Sequence, residues 1–299
     1  MTRNLSVVVL TMVLTATLLA PSAFAWGDNG HSYVNQIAAQ KMPASMPAFL
    51  REPSAVARIA YLGPEPDRWR GSGEYALNQS QAPDHFIDLE RVAGLGELPR
   101  GRYDFYKLLY EKRAATHSDD YLPERVGLQP YIAMEVYERL KAAFRAYRAL
   151  QKTGKPTLAV QQDIVFYSGW LGHYVADAAQ PMHTSINYDG WVESNPRGYT
   201  TQKGFHAKFE TAFVDRNITA ASFAGLVGAP VKLEDPFRDY QRYLADSHSQ
   251  LARLYELDKL HGFDGAGSAE GLQFVKARLA AGTRMLLNLW YTAWLSSAE

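Results

Sequence analysis

Residues 131–150 read YIAMEVYERLKAAFRAYRAL, with apolar residues recurring at three-four spacing and charges gathered on the other face. That period fits an amphipathic helix and not a strand, in which side chains alternate between two faces. Residues 157–179 are more apolar all round, as expected of a helix buried on most sides. Residues 32–41, 205–213, 236–257 and 271–294 follow the helical period too, and no alternating strand-and-turn pattern occurs. The sequence therefore predicts an all-α fold, a single multi-helix domain without a linker or internal repeat. Residues 63–84 and 187–203 are rich in Gly, Pro, Asn and Ser, and are expected to be loops.

The first 25 residues read as a secretory signal peptide. Arg3 supplies the positive start, residues 7–20 the apolar stretch, and Ala23-Phe24-Ala25 a small-x-small cleavage site. The apolar stretch is short for a membrane span of about 20 residues. The expected product is a secreted or periplasmic protein of residues 26–299, beginning at Trp26 and without a transmembrane segment. Hydrophobic residues make up 47% of the chain, enough for a sizeable core. There is no cysteine, so disulfides and thiolate metal sites are excluded. Lys and Arg together number 31, as do Asp and Glu, so no global basic field exists to hold long nucleic acid through its phosphates alone. No stable protein partner is implied.

Against this background one segment stands apart, His173-Tyr-Val-Ala-Asp177-Ala-Ala-Gln-Pro181-Met-His183. His173 and Asp177 are four residues apart, so a helix presents both on one face. Pro181 ends that helix and leaves His183 just beyond it. His206 and Glu210 form a second pair at the same spacing, and His31, Asp67 and His85 stand near expected helix starts or loops. Any one of these alone is an ordinary polar residue, but two His-carboxylate pairs with a further His after a proline form a set. Imidazole and carboxylate suit zinc. At about three or four protein ligands per ion, five His and three carboxylates imply two or three ions. Such clusters suit phosphoester hydrolysis, because they bind phosphoryl oxygens and lower the pKa of water. The amino group and carbonyl of a mature Trp26 could add a five-membered chelate. Arg70 reads equally as a cation for a phosphoryl transition state or as a surface ion pair. His117, His248 and His261 have no comparable company and are expected to be surface residues.

These positions resemble the zinc-dependent phospholipase C and S1/P1 nuclease superfamily over nearly all of residues 26–299. The resemblance implies three zinc ions. Asp67, His85, His173 and Asp177 would hold the first. The Trp26 amino and carbonyl groups, His31 and a bridging Asp177 would hold the second, and His183, His206 and Glu210 the third. It further implies phosphodiester hydrolysis, with Asp67 orienting the attacking water or accepting its proton and Arg70 meeting the transition-state charge.

The two branches are harder to separate. Trp26-Gly-x-x-Gly-His31, Asp67-x-x-Arg70 and the wide gap between His183 and His206 look like the nuclease branch. Gly204-Phe-His206-Ala-Lys-Phe-Glu210 looks like phospholipase C. The choline pocket of that branch is poorly matched, with Asn29, Arg68 and Ala82 at its positions. Phe86 would stack a base and Asp88 would meet its edge. The expectation is a secreted trinuclear-zinc phosphodiester hydrolase. Its substrate is single-stranded nucleic acid or a 3′-nucleotide, narrowly ahead of phospholipid head groups. A secreted zinc-binding protein without turnover is the remaining alternative.

Overall fold

A computed structural model describes residues 26–298; the expected signal segment, residues 1–25, lies outside them. Every regular element among the described residues is a helix, as the period predicts. The first half contains α1 (Gly27–Gln40), α2 (Pro53–Tyr61), α3 (Glu65–Arg70), α4 (Tyr75–Gln81), α5 (Leu89–Val92), α6 (Arg102–Thr116) and α7 (Pro123–Val126). Two long helices follow, α8 (Gln129–Lys152) and α9 (Leu158–Ala179). Beyond them come α10 (Phe205–Ala207), α11 (Phe213–Asn217), α12 (Ala221–Ala224), α13 (Pro236–Ser249), α14 (Leu251–Lys259) and α15 (Ala269–Ser296). No helix among the described residues is long and apolar enough to cross a membrane.

The predicted α8 is realised with its apolar stripe inward. Ile132, Val136, Leu140 and Phe144, four residues apart, are buried against α9 and α15. Burying a side chain of this size contributes about 1.5–3 kcal/mol, so Phe144→Ala would cost about 3–5 kcal/mol once the cavity it leaves is counted. Helix α9 is the axis of the assembly, packed by α8, α15, α1 and α2. Every residue from Leu171 to Ala179 is buried, which is why its sequence lacks a polar face. Close approach is made possible by glycine. A Cβ on Gly172 would fall 1.7 Å from Asn35 Oδ1, and one on Gly169 2.5 Å from Leu62 Cβ. Asn35 then ties the three helices together, its amide donating to Ile59 O on α2 and Gly169 O on α9, both at 2.9 Å.

The end of α9 is fixed twice. Gln180 turns extended before Pro181, as the residue preceding a proline must, and its side-chain oxygen accepts from Met182 N at 2.8 Å. Arg278, buried on α15, donates to Ala179 O at 2.9 Å, satisfying a carbonyl left over at the helix end. The chain therefore leaves α9 in one direction, toward His183.

Two expectations are corrected. Residues 63–84 are mostly helical and not a loop, because Pro66 and Pro83 occupy first-turn positions where a missing N–H costs nothing. The stretch 236–257 is two helices, broken at Gln250 between α13 and α14. Residues 187–203 form no regular element, as predicted.

Candidate metal centre and its cavity

The candidate ligands come from seven separate elements, with His173 and Asp177 sharing one. His31 projects from α1, Asp67 from α3, His85 from the 3-10 turn Ala82–His85, and His173 and Asp177 from α9. His183 sits on the 3-10 turn Pro181–Thr184, and His206 on α10. Glu210 lies on a π-helical turn, Lys208–Ala212, where the backbone widens; such turns recur at functional sites. All eight side chains are buried. They form three groups whose ligand atoms lie within 4.8 Å of one another. The groups are His31, His173 and Asp177; Asp67, His85 and His173; and His183, His206 and Glu210.

His173 belongs to both of the first two groups, and Asp177 faces members of each. Its Oδ1 is 3.4 Å from His31 Nε2, while Oδ2 is 3.1 Å from His85 Nδ1 and 3.3 Å from His173 Nε2. Asp67 Oδ1 is 3.6 Å from His85 Nδ1, and Oδ2 is 3.9 Å from His31 Nε2. In the third group His206 Nε2 is 2.7 Å and His183 Nε2 3.6 Å from Glu210 Oε2.

Orientation of the imidazoles comes from the main chain. His173 Nδ1 donates to Gly63 O, His183 Nδ1 to His85 O, and His206 Nδ1 to Tyr188 O, each at 2.8 Å. A ring whose Nδ1 carries the proton offers a lone pair at Nε2. His183 Nε2 and His206 Nε2 then face each other at 3.1 Å, acceptor toward acceptor, beside a carboxylate. Such an arrangement calls for a cation or a shared proton between them. The carboxylates repeat the pattern. Both Asp67 oxygens, Asp177 Oδ1 and Glu210 Oε1 are buried and carry no hydrogen bond among the described residues. Buried anionic acceptors without donors are costly, and a divalent ion removes that cost. The donor set of imidazole nitrogen and carboxylate oxygen therefore fits zinc.

Electrostatics in the metal-free fold point the same way. Burial pushes the Asp67 carboxyl up to about 7 and that of Asp177 up to about 8. Burial also depresses His173 to about 4 and His85 well below its usual value. At Glu210 burial acts upward, but His206 and His183 outweigh it and hold the carboxyl down to about 2. His206 is raised in turn, because Glu210 overcomes the effect of its burial.

Trp26, expected to ligate through its main chain, is buried beside this site in the left-handed region. Its indole Nε1 donates to Ala176 O at 2.8 Å, which seats the residue against the helix that carries Asp177. Its carbonyl accepts from Gly30 N at 3.0 Å.

A cavity of about 610 Å³ has His85 of the second group and His183 and His206 of the third in its wall, while Asp67, Asp177 and Glu210 are buried and do not line it. Arg70 lines it, 3.4 Å from Asp67 Oδ1. Phe86 and Asp88, expected to meet a base, line it as well. Asp88 is already engaged, since its Oδ2 accepts from Arg91 Nε at 2.9 Å. Burial raises the Asp88 carboxyl to about 6, against the pull of Arg91. The strand-like stretch after His85 is clasped to the rest by main-chain bonds, Ile87 N to His183 O at 3.0 Å and Asp88 N to Val126 O at 2.7 Å.

No family model matches the chain, and no curated protein sequence matches it. Two solved structures follow a similar course. One is the alpha toxin from Clostridium absonum, with a TM-score of 0.44 and 13% identity over 91% of this chain and 66% of that one. The other is the alpha-toxin of an avian strain of Clostridium perfringens, with a TM-score of 0.44 and 16% identity over 90% and 64%. The chain thus spans just under two thirds of the length of these structures.

Several supporting residues were not visible in the sequence. Gly63 and Tyr188 act through carbonyls, which carry no residue signature. Asp189 accepts from Gly204 N at 2.8 Å and His206 N at 3.0 Å, anchoring the turn that presents His206. His248, expected on the surface, is partly buried and bonded to Thr184 O at 3.0 Å, behind the His183 turn. His117 and His261 are exposed, as expected.

Proposed function

We propose that this protein is an exported, zinc-dependent hydrolase of phosphoric esters. The observation that carries the reading is a cavity whose wall holds Arg70 together with His85, His183 and His206, members of two of the three buried groups of His and carboxylate ligands. Asp67, His85, His173 and Asp177 would hold one ion, His31 with Asp177 and the Trp26 main chain a second, and His183, His206 and Glu210 a third. Bound zinc supplies positive charge for phosphoryl oxygens and lowers the pKa of water. The side chains do the rest. Arg70 draws a phosphoryl oxygen to the cavity floor and stabilises charge that grows there in the transition state. Asp67 orients the attacking water and takes its proton on a carboxylate oxygen. The main-chain carbonyls of Gly63, His85 and Tyr188 keep the three imidazoles turned correctly throughout.

For the substrate, phospholipid moves ahead of single-stranded nucleic acid. The Asp88 carboxylate that was to read a base edge is committed to Arg91. The cavity mixes apolar side chains, Ala82, Phe86 and Met182, with guanidinium groups, which suits an ester with an apolar part. The nuclease reading keeps one observation, the Phe86 ring in the cavity wall. A parallel assay of the zinc-loaded protein tests both, with phosphatidylcholine, single-stranded DNA, RNA and 3′-nucleotides as substrates. Hydrolysis of the phospholipid alone is expected. Turnover of DNA with phosphatidylcholine untouched would reverse the order, and no turnover of any would leave a zinc-binding protein.

A further inference from the structure

Arg91 and Arg125 stand in the wall of the same cavity, although neither belongs to a ligand group. They come from α5 and α7, and both face one carboxylate oxygen. Arg91 Nη1 lies 2.5 Å from Asp120 Oδ1, and Arg125 Nη1 lies 4.0 Å from the same atom. Asp120 sits on the short 3-10 turn Asp119–Tyr121 and is 57% exposed, while Arg125 is 55% and Arg91 23% exposed. Ion pairs this accessible hold weakly and exchange readily. The two guanidiniums are not equally fixed. Arg91 is braced from behind by its Nε bond to Asp88, whereas Arg125 only approaches the shared oxygen. Asp120 meets Arg91 Nη1 with one carboxylate oxygen and, at 3.3 Å, with its main-chain carbonyl, which leaves Arg91 Nη2 and the donors of Arg125 for a phosphate group with several oxygens. The cavity is also far larger than one phosphoryl group needs.

We propose that Arg91 and Arg125 form a second anion subsite, which takes a further phosphate group on the same substrate, and that Asp120 occupies it until that group displaces it. This rests on the reading that the cavity receives a phosphoric ester, and it deepens that reading. Preferred substrates or products would carry two phosphates rather than one. A phosphorylated inositol lipid and a nucleotide with phosphates at both ends share that chemistry.

Calorimetric titration of the zinc-loaded protein with two matched pairs tests the proposal and separates the sources. One pair is soluble short-chain phosphatidylinositol and its 4-phosphate. The other is thymidine 3′-phosphate and thymidine 3′,5′-bisphosphate. In at least one pair the doubly phosphorylated member is expected to bind about tenfold or more tightly than its partner, as charged hydrogen bonds warrant. Arg125→Gln should bring the ratio close to one, and Asp120→Asn should widen it by removing the competitor. A ratio near one in both pairs, or a ratio that neither Arg125→Gln nor Arg91→Gln moves, would overturn the subsite. Zinc content and helicity are measured on each variant to show that it is folded. Turnover of bis(4-nitrophenyl) phosphate is followed separately. No turnover with the binding ratio intact sinks the hydrolase reading alone, and turnover with a ratio near one sinks the subsite alone.

Discussion

Gly63→Ala offers a test of the site that leaves every ligand side chain in place. A Cβ on Gly63 would fall 2.7 Å from His31 O, 2.8 Å from His31 C and 3.1 Å from Ser32 N. All three atoms belong to the backbone of α1, so no flexible side chain can step aside. Cβ contacts under 3.0 Å essentially never occur and ordinary ones begin at 3.4 Å, so the α1 to Gly63 gap must open by at least 0.3 Å, and by 0.7 Å to reach ordinary contact. The carbonyl of Gly63 holds His173 Nδ1 at 2.8 Å, and His31 is itself a candidate ligand, so the movement falls between two imidazoles of one candidate group, which share Asp177. Ligand constellations tolerate displacements of about 0.5 Å, and loss of an outer contact to a ligating His costs about 10–100-fold in metal affinity. Overpacking adds about 1–3 kcal/mol of instability. Zinc affinity would be read by competition with a chromogenic chelator, and folding by circular dichroism. Gly94→Ala, where an added Cβ meets nothing within 4 Å, is the control. A folded Gly63→Ala protein that binds zinc within about twofold of the parent would refute the view that this carbonyl orients His173.

Three further outcomes are expected. Asp177→Ala should lose more than one zinc per chain and be the most damaging single ligand change, because Asp177 faces His31, His85 and His173 at once; metal analysis decides it. A Met left ahead of Trp26 should remove one zinc and the activity while helicity is kept, and three zincs with full activity would remove the Trp26 chelate. The metal-free protein should lose stability as pH rises from about 6.5 to about 8. Over that interval the buried Asp67 and Asp177 still hold protons that unfolded carboxyls, ionising at 3.8, have released. Below it the depressed His85 and His173 work in the opposite sense while Asp84 and Asp88, raised to about 6, add to the loss, so the test is confined to pH above 6.5. Thermal melts with and without a chelator check this, and a melting temperature that climbs over the interval in chelator would contradict it.

What could be read in the sequence follows from how locally each feature is determined. The stripe of α8 and the uniformly apolar end of α9 are properties of a few consecutive turns, so their period announced them. His173 with Asp177 and His206 with Glu210 are likewise set by helical spacing, although Glu210 reaches its place on a π turn that no period reveals. Residues 63–84 misled because prolines that look like breakers sit at helix starts. Asp88 was assigned a base edge because nothing in sequence shows that Arg91 turns back onto it. Arg91, Arg125 and Asp120 meet only through tertiary packing of short elements, where no local pattern exists to detect.

The reliance on main-chain carbonyls to steer three imidazoles bears on how such a chain can change over generations. A backbone oxygen is supplied by any amino acid, so Tyr188, which aims His206 through its carbonyl, places few demands on side-chain identity there, unlike His85, which aims His183 and is itself a candidate ligand. Drift around the ligands can then proceed with the metal geometry intact, whereas a replacement at a tightly packed glycine is penalised at once. A saturation library of this protein would accordingly show intolerance concentrated at the ligands and at glycines such as Gly63 and Gly172, with permissive neighbours in between.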